Sequence, residues 1–294
     1  MKLKQIEYVL AVAEQGSFTA AARQCHIVQS ALSHQVAQLE AELGVSLFER
    51  NSRSVRLTEA GHAFVENGRR ALDAVQRVAD EAVATAGEVR GRLSLGTIST
   101  LTSPDPIQLL ASFHRDFPHV HVELVMEGSE KLLQRMRERR LDVAFIGVWP
   151  GETMDAGFSS QQLCNEELVA LMSTGHPLSH QQDVTLQQLA STPLVDFPVG
   201  SSAYRQSAEV FAEHGLEYAV QFEVSTIEHL VAIARQGLAV GLIPASLSQQ
   251  LEGVCTRRVK NAPRRSVRVV WPKTPSPATR ALLALMNVET AQQG

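Results

Sequence analysis

Residues 17–39 read SFTAAARQCHIVQSALSHQVAQL, and the spacing of the apolar residues in this stretch decides the N-terminal fold. Ser17 suits a helix start, because its hydroxyl accepts from an amide of the first turn that has no partner inside the helix. That short helix runs through Ala20, Ala21 and Ala22 to Gln24, and Cys25, His26 and Ile27 make a brief turn. In the next helix Leu32, Val36, Leu39 and Leu43 recur at steps of 4, 3 and 4, which buries one stripe. The opposite face carries Ser30, Ser33, His34, Ala37 and Gln38, small or polar and mostly uncharged. Two helices joined by a tight turn, with alanines where they cross, form a helix-turn-helix. A dry stripe behind and a hydrogen-bonding face in front suit a helix that enters the DNA major groove. A plain amphipathic hairpin with a solvated face shares much of this pattern, so the residues downstream carry weight.

Those residues are LGVSLFERNSRSVRLTEAG, 43–61. Leu47 and Phe48 precede a short polar loop, Val55 and Leu57 follow it, and Arg50, Arg53 and Arg56 surround it. This reads as a two-stranded wing with a basic tip. Arginine at such a tip fits the narrow, electronegative minor groove while the helix occupies the major groove.

The run GSFTAAARQCHIVQSALSHQVAQLEAELGVSLFERNSRSVRLTEAG, 16–61, resembles the winged helix-turn-helix of the LysR-type transcriptional regulators, and the length and later segments agree with that family. The resemblance implies that Gln29, Ser30, Ser33 and His34 face operator DNA and that Arg53 is the wing arginine. The residue opening the second helix is commonly Ser or Thr in that family and is Val28 here, which has no side-chain acceptor for the first helical amides.

Composition sets the outer limits. The chain has 294 residues, 44% hydrophobic and 20% charged, enough for roughly two or three soluble globular domains. Its net charge is -4, and residues 1–57 hold six Lys and Arg against five Asp and Glu. DNA affinity therefore has to come from the placement of a few charges, multiplied by copies in an oligomer. Cys25, Cys164 and Cys255 are far apart, with no CxxC pair and no zinc-finger spacing. Cys25 reads as a small core residue; Cys164 and Cys255 have no neighbours in sequence that promote a thiolate. The N-terminus MKLKQIEYVLAVAEQG has Glu7 and Glu14 among its apolar residues and reads as an amphipathic helix, not a signal peptide. With no apolar run long enough to span a bilayer, the expected location is the cytoplasm.

Thr58 suits the start of a helix running to about Gly87, with apolar residues from Phe64 to Ala86 at 3/4 spacing and no proline. Such a helix is roughly 43 Å long, too long for a connector, and its alanines permit close approach of a partner. Similarity to the LysR type implies a linker helix that pairs antiparallel between subunits. Gly61 and Gly68 should cost some helicity near its start.

Beyond it, strands and helices alternate. Strands are expected at 93–98, 120–127, 141–148, 167–173, 193–198, 219–224, 238–244 and 267–272, with helices at 105–117, 128–140, 203–214, 226–236 and from about 276. The first β-α-β-α-β run predicts a parallel sheet with right-handed crossovers. The order fits two α/β lobes joined by two crossing strands, one near 160 and one near 265, with VRVVWP (267–272) completing the first sheet. The overall expectation is a winged helix-turn-helix at 1–58, a linker helix at 59–88 and a two-lobed effector domain at 89–294, lobe I being 89–162 with 265–294 and lobe II 163–264. Resemblance to the LysR effector domain, itself similar to periplasmic binding proteins, implies the same.

Ligands of open parallel sheets bind beyond the carboxyl ends of strands. That nominates Ser99, Thr100, Leu101 and Thr102 in lobe I, and Gly200, Ser201, Ser202 and Arg205 at a helix start in lobe II. Amides and hydroxyls at a helix N-terminus favour an anion, and Arg205 either adds a counter-charge or faces solvent. The expected effector is a small metabolite carrying a carboxylate or similar anion. Two prolines at 104 and 106 should stiffen the first loop. The basic run Arg257, Arg258, Lys260, Arg264, Arg265 and Arg268 reads chiefly as a solvated edge or a contact with an acidic neighbour. RMRERR, 135–140, reads as an exposed helix end.

An enzyme finds no support: GxSxG, GxxxxGK[ST], HExxH and GxGxxG are missing from the sequence, and no catalytic residue, metal ligand set or cofactor is expected. A solute-binding receptor would explain two lobes but not the winged helix. The sequence thus points to a regulator with three partners: operator DNA, a small effector and further copies of itself, as a dimer through the linker helix and, by resemblance, a tetramer. A LysR-type regulator acting through redox chemistry or without a ligand is the alternative.

Overall fold

The structure is a computed structural model that describes residues 1–50 and 55–288, with backbone alone at Arg50. It divides into two compact units, Met1–Glu88 and Val89–Gly294.

In the first unit α1 (Leu3–Gln15), α2 (Phe18–Gln24) and α3 (Gln29–Leu43) precede β1 (Phe48–Arg50), β2 (Val55–Leu57) and the long α4 (Glu59–Thr85). Ser17 Oγ accepts from the Ala20 amide at 3.3 Å, the cap expected from its position. The turn after α2 closes with the Ile27 amide on the Ala22 carbonyl at 3.0 Å. Its His26 adopts φ 54°, the left-handed conformation that ends a helix abruptly. Ala21, Ala22, Leu32, Val36 and Leu39 share one core with Val9, Val12, Leu47 and Phe48, and Cys25 packs partly buried against it. Leu43 does not complete the stripe. It is 40% exposed, because α3 ends at Gly44 in a left-handed cap and its last turn projects past the core.

Gly61 and Gly68 are close approaches rather than defects in α4. A Cβ on Gly61 would lie 2.0 Å from the Leu47 carbonyl oxygen, and one on Gly68 would lie 2.9 Å from Ile6 Cγ2. The first three turns of α4 thus lock onto α1 and the start of β1. Thr58 caps the helix, accepting from the Gly61 amide at 2.9 Å. Beyond Gly68 no residue of α4 is buried.

The second unit contains β3 (Gly91–Thr97), α5 (Pro106–Asp116), β4 (Val120–Met126), α6 (Ser129–Arg137), β5 (Val143–Val148) and the 15-residue β6 (Phe158–Met172). It continues through β7 (Asp183–Thr185), α7 (Leu186–Ala190), β8 (Leu194–Asp196), α8 (Ser202–Glu213), β9 (Val220–Glu223), α9 (Ile227–Arg235), β10 (Val240–Pro244), β11 (Cys255–Lys260), β12 (Arg264–Pro272) and α10 (Pro277–Leu285). The main strand order is β4-β3-β5-β12-β6-β10-β8-β9. β3 is parallel to β4 and β5, and β12 returns antiparallel between β5 and β6.

β6 is longer than the 167–173 strand expected. It pairs with β12 as far as Glu167, then with β10 from Leu168 and with β11 from Val169. One strand therefore belongs to both sheets, and its N-terminal half, SSQQ, carries too few apolar residues to show a strand pattern. The segment after Gly253 is also a strand, β11, between β6 and β7. Each sheet is packed on both faces: Phe113 and Leu282 sit in one lobe I cluster and Leu132 in the other, Phe211 in one lobe II cluster and Leu230 in the other. Pro106 occupies the first turn of α5 and Asp105 caps it, which accounts for that proline. No helix among the described residues is long and apolar enough to cross a membrane.

Candidate functional site

On α3 the buried positions Leu32, Val36 and Leu39 leave Gln29, Ser30, His34 and Gln38 exposed and Ser33 half-buried, all on the far side from the core. Val28 occupies the N-cap and is 68% exposed, with no side-chain cap bond. The Ala31 amide of the first turn bonds the Val28 carbonyl at 3.1 Å instead of a side-chain cap. Glu40, which the sequence pattern does not single out, accepts from the amides of Leu47 at 2.7 Å and Phe48 at 3.2 Å. It ties the C-terminal half of α3 to the start of the wing. Arg56 lies on β2 opposite Glu49. Arg53 lies outside the described residues, as does the side chain of Arg50.

In the second unit the two nominated segments lie at the ends of β3 and β8, but most of their hydroxyls are already engaged. Thr100 Oγ1 accepts from Arg265 Nη1 at 2.5 Å and the Thr100 carbonyl accepts from Arg265 Nη2 at 2.7 Å. Thr102 Oγ1 donates to Ser246 Oγ at 2.8 Å. Ser201 caps α8 by accepting from the Tyr204 amide, and Ser202 accepts from Arg205 Nη2 at 3.3 Å. Ser99 and Leu101 are half-buried beside them, and Gly200 turns the chain into α8 with φ 87°. Arg205 is exposed but paired, 3.4 Å from Glu130 and 3.5 Å from Glu152.

Arg265 corrects the reading of the basic run. It is 3% exposed, not on a solvated edge. Its Nε and Nη2 donate to Glu166 Oε1 at 2.8 and 2.5 Å. Burial pushes this guanidinium below its usual range, and Glu166 opposes that shift. Arg265 and Glu166 sit on β12 and β6, the two strands that connect the lobes, and face each other in register. Glu166 Oε2 also accepts from Ser246 at 2.6 Å. The pair was hidden because its members are 99 residues apart. Arg257 is likewise not a free edge cation: it donates to the Ser179 and Thr256 carbonyls. Arg135 is fixed as well, with two bonds of 2.8 Å to Glu127.

The start of α6 and the second turn of α8, from opposite lobes, both reach Gly147 near the end of β5. Ser129, the first residue of α6, donates to its carbonyl at 2.9 Å, and Gln206 of α8 donates to the same oxygen at 3.2 Å. Ser129, Ser202 and Gln206 are all buried. Both helices thus approach the end of β5, close to the paired Glu166–Arg265. A separate open depression of about 590 Å³ lies along edge strand β4 and α5, lined by Leu110, His114, His121 and Leu124 among others. Its lining holds no buried charged residue.

The family description "LysR substrate binding domain" matches residues 86–289, and "Bacterial regulatory helix-turn-helix protein, lysR family" matches residues 3–62. The chain belongs to the LysR family of transcriptional regulators. It is 31% identical over 244 residues, 83% of this chain and 79% of the relative, to a probable nitrogen assimilation transcriptional activator of Synechococcus elongatus. It is 29% identical over 275 residues, 92% of this chain and 90% of the relative, to a hydrogen peroxide-inducible genes activator of Pectobacterium carotovorum. Among solved structures, full-length CbnR complexed with its target DNA superposes with TM-score 0.69 at 25% identity, covering 97% of this chain and 98% of that one. Regulators of this family bind operator DNA and small-molecule effectors and form oligomers, and this LysR-type chain has both the helix-turn-helix and the effector domain.

Proposed function

We propose that this LysR-type regulator reads its operator with Gln29, Ser30, Ser33, His34 and Gln38 in the major groove and with Arg50 and Arg53 at the wing. Its effector is a small carboxylate-bearing metabolite held in the cleft by the 99–102 loop and the α8 start, Ser201, Ser202 and Arg205. The observation that supports the effector reading is the approach of α6 and α8, from different lobes, to Gly147, with the α8 start and Arg205 beside it. The protein acts in the cytoplasm as a sensor without catalytic chemistry. It assembles through the 59–88 helix into a dimer and further into a tetramer, so that lobe movement changes the spacing of the DNA-binding heads and the bending of the DNA.

The test begins with selection of binding sites from random duplexes by the full-length protein. Replacing Ser33 and His34 by alanine should lower the operator preference by about 1–3 kcal/mol for each base-edge hydrogen bond removed, while leaving affinity for random DNA nearly unchanged. Equal losses on both DNAs would make these residues backbone contacts. Small carboxylates are then screened by thermal shift, and a hit must alter the operator footprint. Ser99→Ala with Ser202→Ala should remove that response and preserve ligand-free binding.

A further inference from the structure

The lobes touch across the cleft through polar side chains, and one cation is shared. Arg205 belongs to lobe II, whereas its two carboxylate partners, Glu130 in the first turn of α6 and Glu152 after β5, belong to lobe I. The adjacent Gln206 spans the same gap to Gly147. On the other flank Thr102 of lobe I meets Ser246 of lobe II. Trp149, at the end of β5, leaves lobe I and packs partly buried against the lobe II cluster that contains Val210 and Phe211. The Glu152 amide bonds the Trp149 carbonyl at 2.9 Å, so the tryptophan and the clasping carboxylate ride on one turn.

We propose that Glu130, Arg205 and Glu152 form a clasp that holds the cleft closed over Trp149 in the free protein, and that an anionic effector acts by replacing the two carboxylates on Arg205. The first half stands on contacts alone; the second rests on the effector reading above. Both contacts are long, between a guanidinium 44% exposed and carboxylates 38% and 26% exposed, so solvent screens them and they are weak. A weak clasp is what an exchange needs. One cation faces two acids, so the trio carries an excess negative charge, and a ligand carboxylate gains a bidentate geometry that neither glutamate shows here. Release of Glu152 frees the turn that carries Trp149, which couples ligand binding to lobe separation.

The chain has two tryptophans, and Trp271 is buried in the lobe I core. Acrylamide quenching of the full-length protein therefore reports on Trp149. Raising NaCl from roughly 0.05 M to roughly 0.5 M shortens the screening length several-fold and should increase quenching of the wild type. Glu130→Gln with Glu152→Gln should quench at low salt as the wild type does at high salt, with the salt dependence lost. Arg205→Lys, which keeps the charge, should retain it. Thermal melting and operator binding check that each variant is folded. Identical quenching of folded wild type and double amide at both salts would overturn the clasp. Acetate, succinate and glutamate are the ligand probes. A carboxylate that raises wild-type quenching should bind more tightly to the double amide, where nothing competes for Arg205. If salt and amide effects hold but no carboxylate alters quenching, the clasp stands and the anionic-effector reading falls.

Discussion

Replacing Glu166 by glutamine should destabilise the second unit far more than its position on a connecting strand suggests. Glu166 is 13% exposed at its side chain and Arg265 3%, so water does little to offset the loss of either charge. With charge centres about 4 Å apart and an effective dielectric constant of about 20, the attraction is about 4 kcal/mol. Removing one partner also strands the other, which brings the expected cost to about 3–5 kcal/mol. For a unit of this size that corresponds to a fall in Tm of roughly 6–20 °C. Arg265→Met should cost a similar amount, because Thr100 loses its donors and Glu166 is left facing an apolar side chain. The double variant Glu166→Leu with Arg265→Met should recover much of the loss, since two apolar groups need no compensation. Thermal and urea unfolding of the four proteins closes a double-mutant cycle. Single variants that each cost under about 1 kcal/mol, with no coupling between them, would show that the pair is solvated in solution.

Asp196, at the end of β8, is buried, and burial pushes its carboxyl up to about 7 despite bonds from the Phe197 amide and Ser207. Because its folded pKa lies above its unfolded one, its contribution is greatest below the ordinary carboxylate range and is lost as pH rises to about 7. The loss is about 4 kcal/mol in full, so Tm should decline between pH 4 and pH 7 and Asp196→Asn should flatten that decline; a profile unchanged by the substitution would refute it. On α4, Val75 is 46% and Val78 72% exposed, the apolar stripe expected to face a partner helix. Glutamate at both should place like charges in that seam and lower the mass seen by light scattering; an unchanged mass would locate the seam elsewhere.

The helix-turn-helix was legible because its information is local. Ser17, the alanines of α2 and the stripe from Leu32 to Leu39 each act over a turn or two, and only Leu43 was misplaced, by a helix end too far from the core to use it. The order of strands and helices in the second unit was legible for the same reason. What sequence did not show is what long separation builds. Glu166 meeting Arg265, 99 residues away, and Arg205 meeting Glu130, 75 away, join residues whose neighbours in sequence say nothing about one another. The basic run from Arg257 to Arg268 illustrates the failure. By composition it is an exposed strip, yet alternation along β12 sends Arg265 inward to Glu166 and Arg264 outward to Glu167. Sequence also did not show that several of the nominated hydroxyls bond within the protein: Thr100 to Arg265, Thr102 to Ser246, and Ser202 to Arg205.

The same geometry bears on the cysteines, since two relatives are named as activators of hydrogen peroxide-inducible genes. A sensing cysteine needs thiolate character. Cys164 sits two residues before Glu166 on β6, and burial pushes its thiol up, with Glu166 adding to the shift and Arg265 opposing it. Arg265 is the one nearby group that would favour a thiolate, and it is already held by Glu166. Cys25 is likewise raised by burial, and all three cysteines are unpaired. For Cys164, the one cation that favours a thiolate is already bound by Glu166. At Cys164, therefore, the groups that set the thiol's environment are the same two that join β6 to β12.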